Sequence, residues 1–188
     1  SSRRQRQMCI RDSPYTKASQ IVERTKGADV LIVLKKRIRA EMISQLPDLK
    51  LIVRGGTGYE SIDIKAAREH GVSVCNIPQY STEVVAQWTM MQLLSMACRS
   101  YEYIKAVKEN IWDEIQFRRP VLELKGKTLG IIGYGEIAKR FLELVEPFGM
   151  NVLVYSDYPD DKYKFVDLDT LARESDFISL HRLMNDSN

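Results

Sequence analysis

Gly133, Gly135 and Ala138 stand in the spacing G-x-G-x-x-A within TLGIIGYGEIA, after an apolar run and before an amphipathic stretch. Each position has a physical use. The first glycine permits a tight turn, the second lets a pyrophosphate approach the backbone, and the small third residue lets a helix pack close to the preceding strand. The N–H groups that open such a helix, together with its dipole, favour phosphate. Glycine turns are common, so it is the strand, turn, helix and strand order around this one that selects dinucleotide binding over a purely structural turn. On that reading the next strand should end in an acid that takes the ribose hydroxyls of NAD. The residues there are Tyr155, Ser156 and Asp157, with Ser156 in the acid's place and Asp157 one residue late. A serine can receive a 2′-phosphate. No Arg or Lys adjoins it, however, and Asp157 would repel the charge, so the residues lean to NAD and leave NADP open.

A second glycine cluster, Arg54-Gly55-Gly56-Thr57-Gly58, follows the apolar run LKLIV. Backbone N–H groups beside a guanidinium make a strong receptor for a single carboxylate. The plainer alternative is a glycine turn with a surface arginine. Other reactive types are scarce. With only His70 and His181, histidine-based metal chemistry is not expected. Cys9, Cys75 and Cys98 form no C-x-x-C pair, which argues against a disulfide framework or a structural zinc and for a reducing compartment. Cys75 lies within an apolar run and reads as core. Met90, Met91, Leu94 and Ala97 fall at helical spacing and read as packing. His70, at a helix end, reads as a partner for the helix dipole.

The elements that must carry these residues alternate. Helix is expected over Lys17–Thr25 with Gly27 ending it, strand over 28–34, helix over 39–46 and strand over 49–54. Asp63 can cap a helix running through His70, with Gly71 at the stop, before strand 72–76. A long helix should run from Thr82 to Arg99 and another from Tyr101 to Ile111. A second α/β pattern begins at Lys127, with strand, turn, helix to Phe148, strand NVLVY, a short helix at 168–174 and strand DFISL. Continuous apolar strands between helices indicate parallel sheets covered on both faces. The expected organisation is a unit over 14–80 and a second over 81–188.

The 188 residues carry 44% hydrophobic and 28% charged side chains, an ordinary globular composition. The net charge of +3 sits in residues 1–13, where Arg3, Arg4, Arg6 and Arg11 face only Asp12. Removing those four and one from totals of 28 basic and 25 acidic residues leaves 24 of each. That segment has no periodicity and reads as a non-native or disordered tail. Without a basic face or a recognisable motif, nucleic acid is not an expected partner. No apolar run approaches the roughly 20 residues needed to span a bilayer, so the expectation is a cytoplasmic protein without a membrane partner.

Three stretches together, LKLIVRGGTGYESIDIKAAREHGVSVCNIPQYSTEVVAQWT, LELKGKTLGIIGYGEIAKRFLELVEPFGMNVLVYSD and FVDLDTLARESDFISLHRLMNDSN, resemble the D-isomer-specific 2-hydroxyacid dehydrogenases from about residue 15 to the end. The wording NIPQYSTEVVAQ and VYSD is most similar to the glycerate dehydrogenase (hydroxypyruvate reductase) side of that family. The resemblance implies Rossmann-like, doubly wound parallel sheets: a partial substrate domain and the first half of an NAD-binding domain. It implies an oxidoreductase acting on the CH–OH group of a small D-2-hydroxy acid with NAD, and a homodimeric parent with Trp112 in its interface region. Around Gly56, Thr57 and Gly58 the backbone would hold the substrate carboxylate, with Arg54 adding charge. Thr57 and Thr89 align with cofactor-contacting positions. Gly133, Gly135, Glu136, Ile137 and Ala138 would hold the pyrophosphate, Ser156 and Asp157 the adenosine ribose, and the loop of His181, Arg182, Leu183 and Asn188 the other edge of the cofactor.

Two positions depart from the family pattern. Glu136 places a carboxylate where Arg or Asn is usual, and Arg182-Leu183 replaces a small residue and proline. The family's arginine, acid and histidine would lie beyond the position aligned with Asn188, and its first strand before Tyr15. No catalytic residue is therefore assigned here, and the chain alone is expected to be inactive. The alternative is a dinucleotide-sensing, co-repressor-like protein of the same fold. A different Rossmann protein, such as a methyltransferase, is disfavoured by the match at 54–63.

Overall fold

The computed structural model describes residues 15–111 and 120–182. They form two compact units that divide between Pro78 and Gln79. In the first unit the strands are β1 (Val30–Val33), β2 (Leu51–Arg54) and β3 (Ser73–Cys75), parallel and in that order across the sheet. The short helix α1 (Ile21–Thr25) precedes β1, while α2 (Ala40–Ile43) joins β1 to β2 and α3 (Ile64–Glu69) joins β2 to β3. Helix α3 begins where Asp63 accepts a hydrogen bond from the Ala66 N–H at 2.9 Å, and it ends at Gly71, whose φ of +69° suits glycine.

Because strand side chains alternate between faces, the register puts Leu31, Val33, Ile52 and Val74 on one face. The helices cover that face with Ile21, Ile43, Ala66 and Ala67. The other face was expected to be buried too. Instead Val30, Ile32 and Leu34 are exposed, Ile32 at 71%. Cys75 pairs with Val53 on this uncovered face and is exposed, which corrects its reading as core. Sequence alone gives an apolar run; which of its faces finds a partner is a matter of topology.

The second unit opens with α4 (Thr82–Ala97) and α5 (Ser100–Lys108). Its sheet holds β4 (Thr128–Ile132), β5 (Asn151–Tyr155), β6 (Lys164–Phe165) and β7 (Phe177–Leu180), all parallel, in the order β6-β5-β4-β7. Helix α6 (Glu136–Val145) joins β4 to β5, and α7 (Leu168–Glu174) joins β6 to β7. Here helices lie on both faces, although Ile178 and Leu180 of β7 stay exposed on the side of Gly130. Leu129, Ile131 and Val154 meet Ala138, Phe141, Leu142 and Val145 of α6, against which α4 lays Ala86, Met90, Leu93 and Ala97. On the opposite face Leu171 of α7 closes over Gly130, where an added Cβ would stand 2.6 Å from its Cδ2. Met91 was expected to pack but turns to solvent at 41% exposure, because it shares the outer face of α4 with Val84 and Trp88.

Candidate functional site

The glycine turn lies at the carboxyl end of β4, inside the second sheet, where parallel α/β folds place their ligands. Gly133 has a φ of +90°, and its N–H donates to the Tyr155 carbonyl of β5 at 2.8 Å. A side chain there would collide with the chain leaving β7, since a Cβ would stand 2.7 Å from the Arg182 nitrogen. Gly135 caps α6 in an extended conformation, and a Cβ on it would meet nothing within 4 Å. The space beside it is open, as approach of a pyrophosphate requires. The Lys139 N–H bonds back to the Gly135 carbonyl, so the N–H groups of Glu136, Ile137 and Ala138 fall in the first turn, without helical partners. Ala138, in the first turn of α6, is fully buried, consistent with its close-packing part. Glu136 is exposed.

At the end of β5 the Ser156 hydroxyl accepts the Tyr158 N–H at 3.2 Å. Asp157 is engaged by a residue that sequence reasoning did not bring to it. Arg182 Nη2 donates to Asp157 Oδ2 at 2.8 Å, and its guanidinium carbon lies 5.7 Å from the centroid of the Tyr155 ring. No cation adjoins Ser156 along the chain, but Arg182 reaches both of its chain neighbours, Asp157 and Tyr155. A signal was available: an arginine two residues past the strand that flanks β4 lies near the turn in any such sheet. Beside the turn, Tyr134 packs edge-on against Tyr163 and Phe165, with ring centroids 6.0 and 5.4 Å away. Burial, and then a bond to Asp160, raise the Tyr134 phenol well above its ordinary value, so it stays neutral.

In the first unit the Arg54–Gly58 loop is tied to the exit of β3. The Ile77 N–H donates to Gly56 O at 3.1 Å, Thr57 Oγ1 to Ile77 O at 3.1 Å, and Asn76 Nδ2 to Thr57 O at 2.8 Å. Arg54 folds back over Gly56, and its Nε is buried without a hydrogen-bond partner. A buried guanidinium nitrogen without an acceptor is costly. Glu60, which the sequence reading passed over, sets its carboxylate against Gly58, where a Cβ would stand 2.5 Å from Oε2.

The structure does not bring the remaining candidates to the turn as directly. Thr89 donates its hydroxyl to Val85 O at 2.8 Å and lines a shallow recess with Leu93, Phe141, Phe177 and Ser179. His181 directs its ring inward, 5.7 Å from that of Phe141, with Nε2 2.9 Å from Ser179 Oγ. Burial lowers its pKa below the ordinary histidine value. His70 Nδ1 lies 2.9 Å from Ala66 O. Leu183, Asn188 and Trp112, like the tail 1–13, lie outside the described residues. No group of three or more potential metal ligands occurs among those described.

Comparison with known proteins places this geometry. Residues 3–177 match the family model described as D-isomer specific 2-hydroxyacid dehydrogenase, catalytic domain. A glycerate dehydrogenase of Methylorubrum extorquens is 36% identical over 166 residues, covering 86% of this chain and 52% of that one. A hydroxypyruvate reductase of Thermotoga maritima is 34% identical over 179 residues, covering 93% and 58%. Among solved structures, D-lactate dehydrogenase from Aquifex aeolicus complexed with NAD and lactic acid superposes with a TM-score of 0.83 at 31% identity, over 90% of this chain and 53% of that one. An acyclic imino acid reductase in complex with NADPH and D-Arg gives 0.81 at 27% identity, over 92% and 57%. The chain thus spans about half the length of the relatives it matches.

Proposed function

The chain belongs to the family of D-isomer specific 2-hydroxyacid dehydrogenases, and from that membership we propose that it is the substrate-loop and dinucleotide-turn portion of an NAD(P)-dependent oxidoreductase. The substrate class is a small D-2-hydroxy acid or the corresponding 2-keto acid, of the size of glycerate, hydroxypyruvate or glyoxylate. When bound, the nicotinamide supplies or accepts the hydride at the substrate's C2. This chain's own residues do the holding. The first-turn N–H groups of α6 face the pyrophosphate across Gly135, while Gly56 to Gly58 and Arg54 take the substrate carboxylate. The units over 14–80 and 81–188 correspond on this reading to the substrate and cofactor domains. The parent is cytoplasmic, in keeping with the free thiols of Cys75 and Cys98, and forms a homodimer.

One observation supports this reading above the others: Gly135 opens α6 onto empty space while Gly133 is sealed against Arg182. That contrast gives a clean test. Gly135→Ala should leave the thermal unfolding of the chain nearly unchanged, because an added Cβ meets no protein atom within 4 Å. It should weaken NADH binding by about tenfold or more, equivalent to one lost charge-assisted hydrogen bond. Equal NADH affinity in the two proteins would sink the dinucleotide reading. Neither histidine is placed as a free acid–base, since His70 is engaged at Ala66 and His181 faces Phe141. The chain alone should therefore bind NADH yet reduce no hydroxypyruvate above background.

A further inference from the structure

Glu136 is the first residue of α6 and follows Gly135, where an added Cβ would meet only open space. Its side chain is exposed, and two cations follow it at the i+3 and i+4 positions that normally neutralise a helix carboxylate. Neither does so. Lys139 Nζ stands over the Tyr134 ring, 5.1 Å from its centroid. Arg140 is drawn away as well, its Nε donating to Glu83 of α4 at 2.9 Å and its Nη1 to Glu143 at 2.7 Å. Arg182, whose backbone closes over Gly133, gives its guanidinium to Asp157. Among the described residues no cation pairs with Glu136. The turn therefore holds two opposed elements. The first-turn N–H groups and the helix dipole attract phosphate, and one uncompensated carboxylate repels it.

We propose that Glu136 sets which adenine nucleotides the turn accepts, admitting the pyrophosphate diester of a dinucleotide and turning away free nucleoside di- and triphosphates. The proposal rests on the dinucleotide reading above and assigns its selectivity to one side chain. A pyrophosphate esterified at both ends carries one negative charge on each phosphorus, two in all. The terminal phosphate of ADP is a monoester, so its total approaches three charges, and that of ATP approaches four. Backbone N–H groups bond the oxygens of all three ligands alike and discriminate little among them. Repulsion does discriminate, because each further unit charge a few ångströms from a solvated carboxylate lowers affinity by about two- to fivefold. Since Glu136 is exposed, salt screens the effect.

The experiment titrates the full chain with NADH by calorimetry, with ADP, ATP and adenosine as competitors, in magnesium-free buffer at low and high ionic strength. Wild type should bind NADH more tightly than ADP or ATP. Glu136→Gln at low salt should tighten NADH by about threefold, ADP by about tenfold and ATP by more, while adenosine moves by less than about twofold. Glu136→Lys should exceed these gains in the same order, and all of them should shrink at high salt. Circular dichroism identifies a variant that fails to fold. In that case wild type decides alone, since its preference for NADH over ADP should narrow as salt rises, and a constant or widening preference overturns the proposal. If NADH binds and Glu136→Gln tightens no ligand, or tightens adenosine, NADH and ADP equally, the selectivity is overturned and the dinucleotide reading stands. If NADH binds to no folded protein in the series, both fall together.

Discussion

His181 shows how a residue can resemble a catalytic group and do something else. It follows β7 directly, its N–H donates to Ile132 O at 2.7 Å, and its ring is packed towards Phe141. Burial favours the neutral ring, so its pKa in the folded chain lies below the ordinary value of about 6.5. As pH falls, the unfolded chain takes up the proton first. The stability contributed by the neutral ring is therefore complete above that value, declines below it and is gone once pH has fallen past the folded pKa. His181→Gln should be less stable than wild type near pH 8, through lost packing on Phe141. Thermal unfolding from pH 8 to 5.5 should then show the gap between the two proteins narrowing. A gap of constant size would mean that His181 is not held neutral by burial.

Among elements, the short helices of the first unit depend most on their ends. Six residues of α3 cannot hold a helix by propensity, so the Asp63 cap and the packing of Ala66 and Ala67 must do so. Asp63→Ala should lower stability by about 1 kcal/mol, read from urea unfolding, with Asp63→Asn restoring most of it. The cap was legible from sequence because it is a local pattern, as were Gly71 at its stop and the short helix at 168–174. The glycine turn was legible for the same reason. Strand β6 was not anticipated: two residues, Lys164 and Phe165, gain their strand character only by pairing with Leu153 and Val154. The exposed face of β1 and the reach of Arg182 to Asp157 were also beyond the sequence. Both depend on which strands become neighbours, and periodicity along one segment says nothing about that.

At the scale of the molecule, the second unit exposes large apolar side chains along two of its helices. Along α4 the residues Val84, Trp88 and Met91 recur at i, i+4 and i+7, exposed by 69, 60 and 41%. On α5, Ile104, Val107 and the following Ile111 repeat the pattern and are likewise exposed. The inner face of α4 is already committed to α6, so this stripe is separate from the core. Contiguous apolar patches of this kind mark interaction sites, and in a homodimer the same patch serves both copies. The prediction is that the proposed dimer pairs through α4 and α5. Sedimentation velocity at micromolar concentration should find a dimer. Trp88→Glu should convert it to a monomer with its circular dichroism intact, since Trp88 supports no contact within the buried core. A wild-type chain that sediments as a monomer would remove this face from the dimer, whereas a Trp88→Glu variant that still dimerises would move the interface elsewhere on the chain.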